Sequence, residues 1–198
     1  EDIASSYDAA KSPASLQSWL SAVEENGSLV NVASLSGFGT NRLIAGIGEK
    51  STPAADELQM AERILLADLE AGAFGMSTGL EYVPDRFSQT QELLSLARTV
   101  GKFNGIIFSH LRSEDDNEIA KAIEELVAQG EFAQVHISHL KIVYGRDQEQ
   151  AEEVLRQIRE ARRQGIRITS DVYPYLAGSA DLGLVYPSWA KSEEQWSH

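Results

Sequence analysis

Cysteine is absent from the 198-residue sequence. No disulfide can form, so the redox compartment stays open. Any zinc site has to be built from His, Asp, Glu or a modified Lys. Positive charge is scarce: 17 Lys and Arg face 30 Asp and Glu, for a net charge of −13. That balance disfavours nucleic acid and anionic membrane surfaces as partners, and it favours solubility. No apolar run approaches the ~20 residues that a membrane-spanning helix needs. No signal-peptide pattern stands in the sequence, but the chain opens Glu1-Asp2 rather than Met, so a removed leader stays open and no compartment is assigned. The length suffices for one sizeable core, and residues 1–198 are expected to form a single α/β domain.

One motif is written twice. Ile106-Ile107-Phe108-Ser109-His110-Leu111-Arg112 is followed by Val135-His136-Ile137-Ser138-His139-Leu140-Lys141. Each is a short apolar β-run ending in Ser-His-Leu and a cation, and a helix-like segment lies between them. Two strands joined by one helix make a βαβ unit, so the strands are parallel and expected to be adjacent. His110 and His139 are then expected at matching heights, at the strand ends where such sheets place their chemistry. Neighbouring strands lie ~4.8 Å apart, and zinc takes imidazole nitrogens at about 2.0–2.1 Å. Two such histidines can share one metal. Side-chain alternation puts Ile137, His139 and Lys141 on one face and His136 and Ser138 on the other. His136 is therefore expected to turn toward the packing helices as a structural residue.

The rest of the chain repeats the same rhythm. Leu16, Trp19, Leu20 and Val23 fall at helical spacing, stopped by Asn26-Gly27. Leu29–Leu35 reads as the first strand, entering a glycine-rich turn at Ser36-Gly37-Phe38-Gly39-Thr40. Thr52-Pro53 opens a helix with Thr52 as N-cap and Leu58, Ala61, Leu65 and Leu69 inward. Phe74–Thr78 is the second strand. Ser88 and Gln91 form a capping box for a helix burying Leu93, Leu96, Ala97 and Val100. Ser113–Asp116 begins a helix with Ile119, Ile123, Leu126 and Val127 inward, and Asp147 with Gln150 caps one carrying Val154, Ile158 and Ala161. Ile166–Val172 is the last clear strand. Ser192–Trp196 looks like a helix start with no helix after it, as in a chain that has been cut. A βαβ alternation of about 30 residues is that of a parallel α/β protein. No G-x-G-x-x-G follows a strand, against a dinucleotide fold, and functional-looking residues end four strands. The expected fold is α/β, a partial TIM-type (β/α)8 barrel of about five consecutive parallel βα units without the opening and closing strands.

Five stretches, in this order and spacing, resemble the D-aminoacylase (N-acyl-D-amino-acid deacylase) family of the amidohydrolase superfamily. They are Gly37-Phe38-Gly39-Thr40, Gly75–Tyr82, Ser109–Arg112, Ile137–Lys141, and Asp171–Tyr175 with Gly178-Ser179. The resemblance runs from Gly37 to about Trp189. It implies that His110 and His139 close barrel strands five and six and bind Zn2+, and that Tyr82, Lys141, Tyr173 and Ser179 contact substrate. Glu81 ends the strand where other amidohydrolases place a metal-bridging carboxylated lysine, which makes it a candidate metal ligand. Lys141 and Ser179 suit a substrate carboxylate, and Tyr82 and Tyr173 can line a pocket and donate from their hydroxyls. Asp171 either orients a neighbour or caps a strand end.

The implied reaction is zinc-dependent hydrolysis of an N-acyl-D-amino acid to a carboxylate and a D-amino acid. Parts of the family pattern are missing. There is no His-x-His on a first strand and no metal-binding cysteine. The catalytic Asp of the last strand lies past the end, so no catalytic residue is assigned, and Phe38 stands where relatives commonly have histidine. The intact parent is expected to be the enzyme and this segment alone to be inactive, associating with itself through exposed barrel edges. The alternatives are another amidohydrolase, acting on cyclic amides or isoaspartyl dipeptides, and a non-catalytic binding or assembly domain.

Overall fold

The computed structural model describes residues 15–143, 145, 147–175 and 177–180. The expectations for residues 1–14 and for Ser192–Trp196, and the far end of the resemblance at Trp189, lie outside them. In chain order the elements are α1 (Leu16–Asn26), β1 (Ser36–Gly37), α2 (Phe38–Ile44), α3 (Ala55–Glu70), β2 (Gly75–Gly79), α4 (Thr90–Lys102), β3 (Ile106–His110), α5 (Ile119–Gln129), β4 (Gln134–Ile137), α6 (Gln148–Arg163) and β5 (Ile168–Ser170). A 3₁₀ turn, Asp85–Phe87, lies between β2 and α4. The five strands form one parallel sheet in the order β1-β2-β3-β4-β5, each beside its neighbour in sequence. A consecutive order with a helix at each crossover is that of a barrel wall.

The sheet has two unlike faces. Met76, Ile107, Val135 and Ile168 stand in register and are buried at 0–2 % exposure. They form one core with Leu65 and Leu69 of α3, Leu93, Leu96, Ala97 and Val100 of α4, Ile119, Ile123 and Leu126 of α5, and Val154, Ile158 and Ala161 of α6. Each full burial of such a side chain is worth about 1.5–3 kcal/mol, so the helix-facing side holds the segment together. On the opposite face Ser77, Phe108, His136 and Thr169 line up across the strands and remain partly accessible. Strands β2 and β3 meet at Gly75, φ +155°, where a Cβ would lie 1.8 Å from the Ile106 carbonyl oxygen, so the register of β2 on β3 requires glycine.

Several element boundaries differ from the sequence-based expectation. No strand covers Leu29–Leu35: Leu29 and Val30 are exposed, and β1 is confined to Ser36–Gly37. Among the described residues β1 pairs only with β2, and the run before it is tied to that strand's start by Phe74 N donating to Ser34 O at 2.9 Å without itself becoming a strand. The expected glycine-rich turn is instead the end of β1 and the start of α2, anchored by the fully buried Phe38. Helix α3 begins at Ala55 rather than near Thr52, because the Glu57 carboxylate accepts from the Ala54 N–H at 2.8 Å. Ser88 does not N-cap α4; it closes the 3₁₀ turn, is buried, and its Oγ accepts from Arg112 Nη2 at 3.4 Å. Ser113 Oγ accepts from Asp115 N, which makes a turn, and α5 starts only at Ile119. Asp147 caps α6 as expected, accepting from Gln150 N at 2.9 Å.

Candidate metal centre

His110 is the last residue of β3, on the face opposite the helices, and is 7 % exposed. Its partner motif is not at the same height. Ser109 pairs with Ile137, so His110 lies level with Ser138, and His139 falls one residue further along. Simple alternation would send His139 to the helix side with Val135 and Ile137, both fully buried there. It does not go there, because β4 has ended at Ile137 and His139 adopts φ +41°. This left-handed backbone swings the imidazole back, and its ring centroid stands 4.8 Å from that of His110. Expected convergence is found, but by a turn rather than by matched strand ends.

The same register corrects His136. It faces away from the helices, stacking on Phe108 at 4.3 Å between ring centroids. Its Nδ1 meets Thr169 Oγ1 at 2.8 Å, and its Nε2 meets Asp171 Oδ2 at 3.1 Å. The helix-facing positions of β4 are Val135 and Ile137, which belong to the core.

Glu114, which the sequence left unassigned, completes the group. It is 5 % exposed. Its Oε1 lies 3.2 Å from His139 Nδ1 and 3.5 Å from His110 Nδ1. One nitrogen from each imidazole and one Glu114 oxygen all fall within 4.8 Å of one another. The loop after β3 is fixed over both histidines by pairing with the loop after β4: Val143 N donates to Glu114 O at 2.8 Å, and Asp115 bridges Val143. The signal available in the sequence was an i, i+4 spacing from His110. It was hidden by the acidic run Glu114-Asp115-Asp116, which reads as the first turn of a helix.

The remaining candidates fall around this group. Glu81 Oε2 is 3.2 Å from His110 Nε2, the nitrogen turned away from Glu114. The Tyr82 ring lies 4.9 Å from that of His110. Lys141 Nζ stands 2.5 Å from Glu114 Oε2 and 3.2 Å from His139 Nδ1, and 5.7 Å from the centre of the Tyr173 ring. Tyr173 lies 6.4 Å from His139 and is 36 % exposed. Ser179 is exposed, next to Gly178, where a Cβ would come within 3.5 Å of the Tyr173 hydroxyl. The cations of the two motifs part company: Arg112 turns to Glu125 and to the Arg86 carbonyl, away from the site.

A metal fits this donor set. His110 Nδ1 is buried without a hydrogen-bond partner among the described residues; a buried polar atom left in that state is rare and costly. Two imidazoles and a carboxylate are a common three-ligand set for catalytic zinc.

Asp85 anchors the loop that carries Glu81 and Tyr82. It is 5 % exposed and accepts from Gly79 N at 2.7 Å. Burial pushes its carboxyl above the ordinary value of 3.8, with the Gly79 N–H bond opposing. The folded state therefore holds this proton more readily than the unfolded chain. Its contribution to stability is present in full below 3.8 and is lost as pH rises through the raised folded value. The stability of wild type relative to Asp85→Asn, measured by urea titration, is expected to fall as pH rises across that window. A pH-independent difference would contradict the assignment.

No family model matches the chain. It is similar to two proteins of Alcaligenes xylosoxydans xylosoxydans. An N-acyl-D-glutamate deacylase is 33 % identical over 171 residues, 85 % of this chain. An N-acyl-D-aspartate deacylase is 35 % identical over 175 residues, 86 % of it. These matches cover 35 % and 34 % of the relatives, so the chain spans about a third of their length. Among solved structures, the N-acyl-D-glutamate deacylase of Bordetella bronchiseptica, complexed with zinc and a phosphonate mimic of the tetrahedral intermediate, superposes with TM-score 0.77 at 35 % identity. That match covers 82 % of this chain and 34 % of the other. A D-aminoacylase crystal structure, described as defining a novel subset of amidohydrolases, gives TM-score 0.77 at 29 % identity over 83 % of this chain and 35 % of its own. By sequence and by fold, the chain is related over most of its length to the D-aminoacylase (N-acyl-D-amino-acid deacylase) family of amidohydrolases, and its five strands are a segment of their TIM-type barrel.

Proposed function

We propose that the intact protein containing this segment hydrolyses the amide bond of N-acyl-D-amino acids, with zinc held by His110, Glu114 and His139. The observation that carries this is the convergence of those three side chains, with a buried His110 Nδ1 that makes no hydrogen bond among the described residues. The chemistry supplied by a bound zinc is Lewis acidity toward an amide carbonyl and activation of water at neutral pH. Glu81 changes place in this proposal, from ligand to orienting partner. By accepting from His110 Nε2–H it fixes the tautomer that leaves Nδ1 free to coordinate. Lys141, whose ammonium sits at the rim of the group, takes the substrate carboxylate. Tyr82 and Tyr173 flank the two imidazoles and shape the pocket, and Ser179 adds a hydroxyl beyond Tyr173.

The test is turnover by the intact protein. With zinc it is expected to cleave N-acetyl-D-glutamate, N-acetyl-D-aspartate or a neutral N-acetyl-D-amino acid, to spare the L-forms, and to stop under chelation. The isolated 198-residue chain is expected to be inactive and to self-associate in light scattering. Turnover of cyclic amides or isoaspartyl dipeptides in place of N-acyl-D-amino acids would refute the substrate assignment. An intact protein that retains no zinc would refute the metal centre.

A further inference from the structure

His139 reaches His110 only because its backbone is left-handed. Histidine tolerates that region better than most residues, but the region remains unfavourable without a Gly. Such a residue persists where its surroundings over-determine it. Here the determinants converge on one residue of the neighbouring strand end. Asp171 N donates to Ile137 O at 3.2 Å, before the turn. The His139 N–H donates to Asp171 Oδ1, at the turn. Leu140 N donates to Asp171 O at 2.9 Å, after it. The second carboxylate oxygen, Oδ2, is tied to His136 Nε2, whose ring is held in turn by Thr169 and Phe108.

We infer that Asp171 is a positioning residue for the metal centre, clamping the left-handed turn at His139 so that its imidazole faces His110. The side chain touches no metal-facing atom: it acts on the His139 main chain, and only through it on the site. Of its three bonds across the turn, two use the Asp171 main chain and are available to Ala or Asn as to Asp. The carboxylate bond to His139 N is the one a mutation removes. The inference rests on the zinc reading above for its effect on affinity, but not for its effect on geometry.

Two variants and two readouts test it, in the 198-residue chain and in the intact protein. Asp171→Ala removes the acceptor for His139 N. Asp171→Asn keeps a carbonyl oxygen in the same place. By NMR of labelled chain without metal, D171A is expected to lose the downfield shift of the His139 amide and the ring-to-ring NOEs between His110 and His139, and D171N to retain both. By zinc titration of the intact protein, D171A is expected to weaken affinity by about 10- to 100-fold, the range typical of residues that orient ligands, and D171N by far less. A folded D171A with unchanged NOEs and affinity would overturn the clamp, and so would D171N as damaging as D171A. If the wild-type protein takes up no zinc, the metal reading fails, and the NMR comparison still decides this one.

Discussion

Replacing Glu114 by Gln in the intact zinc-loaded protein is expected to weaken zinc binding by at least about 100-fold, since a direct ligand should cost no less than the residues that merely orient one. The expected fall in kcat/KM is of similar size, about 2.7 kcal/mol of transition-state stabilisation. Three features concentrate the effect on this residue. Among the described residues, Glu114 is the carboxylate that approaches both imidazoles; it is buried; and its other oxygen holds Lys141. The variant keeps size and shape, so the fold should survive, with a melting temperature within a few degrees of wild type. Metal content by elemental analysis after dialysis, together with steady-state kinetics on an N-acetyl-D-amino acid, provides the check. E114Q with normal zinc and normal turnover would remove Glu114 from the centre and leave only two histidine ligands in this chain.

Arg42→Met is expected to destabilise the fold by about 3–5 kcal/mol, the cost of stripping one partner from a buried ion pair. Domains have only about 5–15 kcal/mol to lose, so this change alone brings the segment near unfolding. The guanidinium is fully buried. Nη1 meets both Glu92 carboxylate oxygens, at 2.6 and 2.5 Å, while Nε and Nη2 donate to the Gly48 and Lys50 carbonyls. In this way Arg42 ties α2 to α4 and to the loop leading into α3. Without it, Glu92 is a buried carboxylate stripped of its ion-pair partner, and the Gly48 and Lys50 carbonyls lose the donors that Arg42 supplies. The double variant Arg42→Met/Glu92→Leu should recover part of the loss, because it removes the orphaned charge along with its partner. Urea denaturation of both variants measures this. Equal midpoints for R42M and the double variant would show that the carbonyl bonds, not the charge pair, set the cost.

The helices and the sheet order were legible in the sequence because their apolar positions recur at the helical period between β-rich runs. Leu93, Leu96, Ala97 and Val100, or Val154, Ile158 and Ala161, are found where that period puts them. Helix starts were less legible. Ser88 and Ser113 are good N-caps in isolation, yet both hydroxyls are engaged elsewhere: Ser88 by the Arg112 side chain, distant in sequence, and Ser113 by Asp115 N in a local turn that competes with the helix start. At the site, both histidines could be found from their repeated motif. Glu114 could not, since its role depends on how two loops pair through Val143. The orientation of His136 depends on a strand register that side-chain alternation alone does not supply.

The one-residue offset between the two Ser-His-Leu motifs has a bearing on engineering. Although they look like duplicates, they are not interchangeable modules: one ends a regular strand, and the other needs a twist of the main chain locked from the next strand over. Grafting the first motif's backbone geometry onto the second would aim residue 139 into the oily layer beneath the helices. A designer transplanting this histidine pair into another scaffold must carry a third strand along with it.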